Sequence, residues 1–293
     1  MYKQIARNKR NTAIILIGFV LFIFAIGIAF AYLNNNIWIS VYVGAIAIIY
    51  ALFQYFAASS LAVAMTGAKQ IQKADNPRLY NAIENLSIAT GLPMPKVYII
   101  NDSAPNAFAT GRDPAHAIVA ATTGLIDLMD SKELTAVMAH EMSHVKNYDI
   151  RVSTIVFGLV CVIGLLSDLG TRMLFFGNRR SSNDNNSSPV GLVIALITLI
   201  LAPVAATLAQ LAVSRQREFL ADSSAVLMTR HPEGMISALK KLESHARPMR
   251  QQNPATEALF IANPLKKKFS SIFSTHPPLE KRIERLESGK KSF

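Results

Sequence analysis

The chain has 293 residues, 51% of them hydrophobic, a mean hydropathy of +0.28 and a formal net charge of +11. A soluble domain of this length rarely averages apolar, and the excess sits in a few uncharged runs, which marks a membrane protein. The positive balance does not indicate nucleic acid, because no stretch interleaves basic and aromatic residues; it fits a basic face beside anionic lipid.

From Asn11 to Ala68 there is no charged residue. This block predicts two membrane helices, Thr12–Leu33 and Ile37 to about Phe56, broken at Asn34-Asn35-Asn36. Each reaches the roughly 20 residues that a helix needs to cross the hydrocarbon. The first is too long for a signal peptide and lacks an evident small-residue cleavage site, so it is expected to be retained. Lys3, Arg7, Lys9 and Arg10 precede it, and the loop after it is uncharged. That asymmetry places the N-terminus, and hence the polar segment from Lys69 to Arg151, in the cytoplasm. A third apolar run, Ser153–Ser167, is marginal because Asp168 and Arg172 follow closely. It contains Cys161, the single cysteine, which excludes an intrachain disulfide. The fourth run, Pro189–Val213, spans comfortably, with Pro203 as a possible kink. A polar loop over 177–188 separates these two runs, which either span or form a hairpin packed on protein; in both cases their outer ends return to the cytoplasm. The expected divisions are therefore 1–68, 69–151, 152–213 and 214–293.

The first polar segment opens with a helical pattern at Leu79, Ile83, Leu86 and Ile88. Strands are expected at Val97–Ile100, Ala107–Thr110 and Ala117–Thr122, the last two around the Gly111-Arg112-Asp113-Pro114 turn. Lys132–Asn147 reads as a helix, with Asp130 and Glu133 spaced as a capping box. The second polar segment reads as helical almost throughout, ending with Pro277–Ser288. The expected class is mainly α with a small β-sheet.

His140-Glu141-Met142-Ser143-His144 lies on the Lys132–Asn147 helix. Residues four apart share a helix face, so both imidazoles can bind one metal, while Glu141 is displaced toward a water molecule. Zinc makes such a water acidic, and a neighbouring carboxylate removes its proton as attack on a carbonyl begins. A third histidine six residues beyond His144 is excluded, since Ile150 stands there. A carboxylate from a second helix is the best remaining ligand, and Glu218 in Arg217-Glu218-Phe219-Leu220-Ala221-Asp222 fits. Asp222, one turn on, can orient a ligand histidine through its other ring nitrogen. Asn147 and Asp149 either support the motif helix or are merely solvated. Both halves of the pattern lie beside apolar runs, so they converge on one membrane boundary.

With these residues in view, the sequence resembles the HtpX proteases, bacterial membrane gluzincins related to the CAAX prenyl proteases. The resemblance runs over nearly the full length. It rests on Asn106–Gly111, Thr122–Leu125, Ala139–Asn147, Arg217–Asp222 and Thr275-His276-Pro277-Pro278, in order with four apolar runs. It implies a gluzincin-type zinc metalloprotease domain with one Zn2+ per chain, held by His140, His144 and Glu218, and Glu141 as general base. It also implies His276 as a donor to the tetrahedral oxyanion, although Thr275 and the prolines equally make a helix start. Asn106, Ala107, Phe108, Ala109 and Thr110 become an edge strand that pairs with an extended substrate. The implied role is an endopeptidase of the cell membrane, active on the cytoplasmic side. Its substrates would be polypeptides, chiefly membrane proteins, in quality control and stress response. The two long N-terminal spans carry no ionisable residue to mark an ion path, and no Gly-rich loop cradles a nucleotide. A transporter with a metal-binding appendage, or an inactive scaffold, is therefore the weaker reading.

Overall fold

The protein is described by a computed structural model over residues 2–177, 215–251, 254–262 and 277–289. The fourth apolar run, the 178–214 stretch around it and His276 lie outside these described residues. Two long helices come first, α1 (Tyr2–Leu33) and α2 (Trp38–Thr66). Both exceed the sequence estimate, because the polar segment before Asn11 carries no helix breaker. Nothing stops α2 at Phe56 either; it ends ten residues later, where Gly67 adopts the left-handed conformation (φ 65°) that caps it. The two are long and apolar enough to cross a membrane. Ile14, Ile17, Leu21, Ile46, Ile49 and Phe53 are exposed on them, as lipid-facing side chains should be.

A four-stranded sheet follows, made of β1 (Lys69–Gln70), β2 (Lys96–Ile100), β3 (Ala107–Thr110) and β4 (Ile118–Thr122) in the order β1-β2-β4-β3. β1 and β2 are antiparallel, β2 and β4 parallel, and β3 and β4 antiparallel. The two-residue β1 was not visible in the sequence, since it is exposed and carries no alternating pattern. Between β1 and β2 runs α3 (Pro77–Thr90), started by Pro77 and by the Asn76 side chain, which accepts from the Leu79 N–H at 2.9 Å. The short α4 (Thr123–Leu128) leads to α5 (Ser131–Lys146). The expected capping box is formed: Asp130 accepts from the Glu133 N–H at 2.9 Å, and Glu133 accepts from the Asp130 N–H at 2.8 Å.

α5 is the central helix of the polar half. Leu134, Val137, Met138 and Met142 are fully buried in a core shared with α3, the sheet and the helices α7 (Arg215–Thr229), α8 (Pro232–Ser244) and α9 (Leu279–Gly289). α6 (Asp149–Gly177) follows α5 after an 83° bend, with Tyr148 at φ 60° in the turn. α6 is continuous past the marginal third run, and Asp168 and Arg172, which interrupt the apolar pattern, pair at 2.8 Å as exposed i,i+4 partners. It packs on α1 and α2 through Phe19, Ile155, Val156 and Leu159. Gly158 lets α2 approach closely: a Cβ there would lie 1.0 Å from the Gln54 amide nitrogen. Tyr50 of α2 donates to the Gly158 carbonyl at 3.0 Å.

β3 ends the sheet, but its outer side is not open. The segment Phe260-Ile261-Ala262, which follows a 3-10 turn at Pro254–Leu259, pairs with it antiparallel. The Ile261 N–H donates to the Ala107 carbonyl at 3.0 Å, and Asn106 binds both main-chain groups of Ala262 at 2.8 and 3.1 Å. All four residues of β3 are buried: Phe108 meets Phe260 edge-on at 5.1 Å, and the Thr110 hydroxyl lies 2.7 Å from that of Thr154 on α6.

Candidate metal centre

Two helices supply the potential ligands. α5 presents His140 and His144 one turn apart, and α7 brings Glu218 against them. His140 Nε2 and His144 Nε2 are 3.2 Å apart, and they lie 3.6 and 3.5 Å from the two Glu218 oxygens. The three form a group that could hold a metal ion. Tetrahedral coordination at zinc–ligand distances near 2.0–2.1 Å would separate ligand atoms by roughly 3.3 Å, so the observed spacings fit such an ion.

The chemistry of the donors agrees with the distances. His140 Nδ1 lies 2.9 Å from Asp222 Oδ1, and His144 Nδ1 lies 3.1 Å from Asp149 Oδ2. A carboxylate at each Nδ1 takes the N–H there and leaves both Nε2 atoms with lone pairs, aimed at one point beside a third anionic donor. Such a convergence is unfavourable without a cation between the atoms. Asp222, placed one turn beyond Glu218 by the sequence spacing, stands behind His140. Asp149 stands behind the other.

Sequence reasoning missed Arg282 of α9. This side chain is wholly buried and forks onto Asp222, with Nε 2.9 Å from Oδ2 and Nη2 2.6 Å from Oδ1. Its Nη1 is 3.5 Å from Glu218, and its Nη2 is 3.3 Å from His140 Nδ1. The signal was present: Arg282 falls three residues after Leu279 and four before Leu286, on the buried stripe of an amphipathic helix. A cation in that stripe must find a buried anion. Asn8 of α1 was also missed. It is buried, and its amide donates to Asp149 Oδ1 at 2.7 Å and to the Asn147 carbonyl at 2.8 Å.

These surroundings set the protonation of the site. Without a metal ion, burial and the Arg282 charge push the His140 imidazole down, but its bonds to Asp222 and Glu218 prevail and bring it up to about 9, so a bound metal would displace the proton from Nε2. Burial raises the Asp222 carboxyl, yet the Arg282 guanidinium beside it holds it below the ordinary range. Glu141 is buried beside the ligands. Burial lifts its carboxyl above the ordinary value, and Glu218 adds to this against the pull of His140, His144 and Arg282. A carboxyl with raised affinity for a proton, next to a metal position, is equipped to take a proton from water.

The predicted substrate strand lies at the sheet edge as expected, but Ala107–Phe108 is covered by the chain's own Phe260–Ala262. The ladder also fixes which groups point outward. The Thr122 N–H binds the Asn106 carbonyl and Ile261 binds the Ala107 carbonyl, so the main-chain groups of Ala107 and Ala109 face away from β4, and those of Phe108 face it.

Comparison with known proteins accords with this geometry. Residues 73–290 match Peptidase family M48. A protease HtpX homolog of Tropheryma whipplei (strain Twist) is 53% identical over 296 residues, covering 100% of both chains. Another, of Limosilactobacillus reuteri (strain DSM 20016), is 46% identical over 295 residues, covering 98% of this chain and 99% of that one. The crystal structure of S. mikatae Ste24p superposes with a TM-score of 0.51 at 19% identity, over 98% of this chain and 67% of that one, and so shares the fold. Membrane-length helices, a histidine–glutamate cluster able to bind a metal and full-length similarity to HtpX proteases agree: the chain belongs to Peptidase family M48, as a membrane metalloprotease.

Proposed function

We propose that this protein is a zinc-dependent endopeptidase that cleaves the cytoplasmic parts of membrane proteins. The observation that carries this reading is the meeting of His140, His144 and Glu218 at 3.2–3.6 Å, each histidine backed by an aspartate. Two imidazoles and one carboxylate suit zinc, one ion per chain, with a fourth position left open. When bound, the ion supplies Lewis acidity that polarises the scissile carbonyl and acidifies water.

The chain's own groups do the rest. Glu141 takes the proton from the attacking water and passes it to the departing amine nitrogen. Asp222 and Asp149 keep the Nδ1 protons in place, so each Nε2 stays available for the metal. An extended peptide lies along the outer edge of β3, where Ala107 and Ala109 direct their main-chain groups, and it takes that edge from Phe260–Ala262. His276 donates to the oxyanion. The basic N-terminal flank and uncharged first loop put the site on the cytoplasmic side, which reporter fusions at Gly124 would contradict by reading as external.

The main test is Glu141→Gln in the detergent-purified full chain. The substitution keeps the shape and removes the proton acceptor, so peptide hydrolysis falls by about 10²–10⁴-fold while zinc content stays at one per chain. Wild-type turnover by this variant at normal zinc content would refute the assignment.

A further inference from the structure

We propose that Asn8, on the first membrane helix, is a positioning residue for the metal ligand His144, acting through Asp149. The inference rests on the zinc reading above. It makes the N-terminal anchor part of the metal site's support as well as a tether.

The geometry is a short polar chain. The Asn8 amide carries two N–H bonds, and it donates to Asp149 Oδ1 at 2.7 Å and to the Asn147 carbonyl at 2.8 Å. The other Asp149 oxygen lies 3.1 Å from His144 Nδ1. Asn8 is 1% exposed and Asp149 5%, so water does not substitute freely for either bond. Among the described residues, the cation that pairs with Asp149 is Arg217, 3.9 Å away and beyond hydrogen-bond distance. Asn8 therefore sets the rotation of the carboxylate that in turn sets the ring of His144.

Its second bond matters as much. Asn147 and Asp149 flank Tyr148, whose φ of 60° is costly for a non-glycine residue and makes the 83° bend between α5 and α6. One side chain from a helix 139 positions away in sequence thus holds both sides of the turn that follows the metal-binding helix. Asn8 is fixed on α1 in its turn, where Thr12 donates to its carbonyl at 2.9 Å. Support groups behind a metal-ligating histidine typically change metal affinity by 10–100-fold when lost. Asn8 acts one bond further out, so the lower end applies.

The experiment measures zinc affinity by chelator competition in the detergent-solubilised full chain, with kcat and KM at saturating zinc. Wild type binding one zinc, and His144→Ala losing it, test the underlying zinc reading separately. Asn8→Ala is expected to weaken zinc about tenfold. Asn8→Asp, nearly the same shape but with a carboxylate facing Asp149, is expected to weaken it at least as much. At saturating zinc, kcat falls and KM holds. In an Asp149→Ala background, Asn8→Ala adds little further loss, because its route to His144 is already cut. Wild-type zinc affinity in both Asn8 variants would overturn the proposal. So would losses that add in full on top of Asp149→Ala, which would mean that Asn8 merely packs the helices.

Discussion

His140 and His144 sit one turn apart on α5, yet the groups behind them differ in kind. Behind His140 stands an ion pair, Asp222 with the fork of Arg282, both buried. Behind His144 stands Asp149, whose second oxygen is hydrogen-bonded by the neutral amide of Asn8 and met only loosely by a cation, Arg217 at 3.9 Å. The first arm is built from α7 and α9, and the second from α6 and α1. The contrast separates rigidity from tolerance. Breaking a buried ion pair strands a charge and costs about 3–5 kcal/mol, whereas a neutral donor to a charged group contributes about 1.5–3 kcal/mol. The arm on the C-terminal helices is thus the brittle one, and the arm on the membrane helices is the adjustable one.

The largest effect should come from Arg282→Met. It keeps most of the side-chain volume but leaves Asp222 buried without its cation and removes a positive charge 3.5 Å from Glu218. A stability loss of about 3–5 kcal/mol is expected, with zinc lost on purification. Thermal unfolding and metal analysis check this. Arg282→Lys, which restores the charge without the planar fork, should recover only part of it. A wild-type melting temperature for Arg282→Met would break the distinction between the arms.

The next effect compares the aspartates directly. Asp222→Asn and Asp149→Asn should each weaken zinc within about 10–100-fold, since an amide can present its NH2 to the ring and disturb the tautomer. Asp222→Asn should lie at the upper end, because it also removes the anion that Arg282 forks onto and leaves it only Glu218 at 3.5 Å. Asp149→Asn faces the neutral amide of Asn8 and a cation no nearer than Arg217 at 3.9 Å, so it should lie at the lower end. Chelator competition on the two variants settles the order, and the reverse order would locate the brittle arm on the membrane side instead.

Legibility in the sequence follows the same division. The meeting of His140, His144, Glu218 and Asp222 was readable because each lies in a helical spacing that states its own geometry: i,i+4 for the imidazoles and i,i+4 again for the acids. The cap at Asp130 and the strands β2 and β3 were readable from local chemistry as well. Asn8 was not, since a lone asparagine in a basic flank has no partner within reach along the chain. Arg282 lay between these cases, visible as a misplaced cation in an apolar stripe but without a sign of which anion it meets. The cover over β3 was also hidden. Phe260-Ile261-Ala262 has no strand-length pattern, and its pairing joins one short main-chain bridge to the Asn106 side chain imitating backbone. What escaped was contact across long sequence separation.

The smallest effect sharpens the comparison by standing outside both arms. Glu133 starts α5, yet it faces away from the metal position, toward α8. Its carboxylate accepts from Lys241 and Ser237, each at 2.6 Å, and from the Asp130 N–H at 2.8 Å. Burial alone would lift this carboxyl, but the Lys241 and Ser237 bonds hold it below its ordinary value. A folded-state pKa below the unfolded one means that the group adds stability at neutral pH, and that the contribution fades as pH falls through the folded value. Glu133→Gln should therefore cost roughly 1–2 kcal/mol at pH 7 and progressively less in acid. Wild type and variant should melt together once the carboxyl is protonated in both states. Zinc affinity should not move, because the variant disturbs the start of α5 and leaves the ligand turn and its two aspartates in place. A fall in zinc affinity comparable to that of Asp149→Asn would show that the whole helix, and not the two arms, sets the geometry of the metal site.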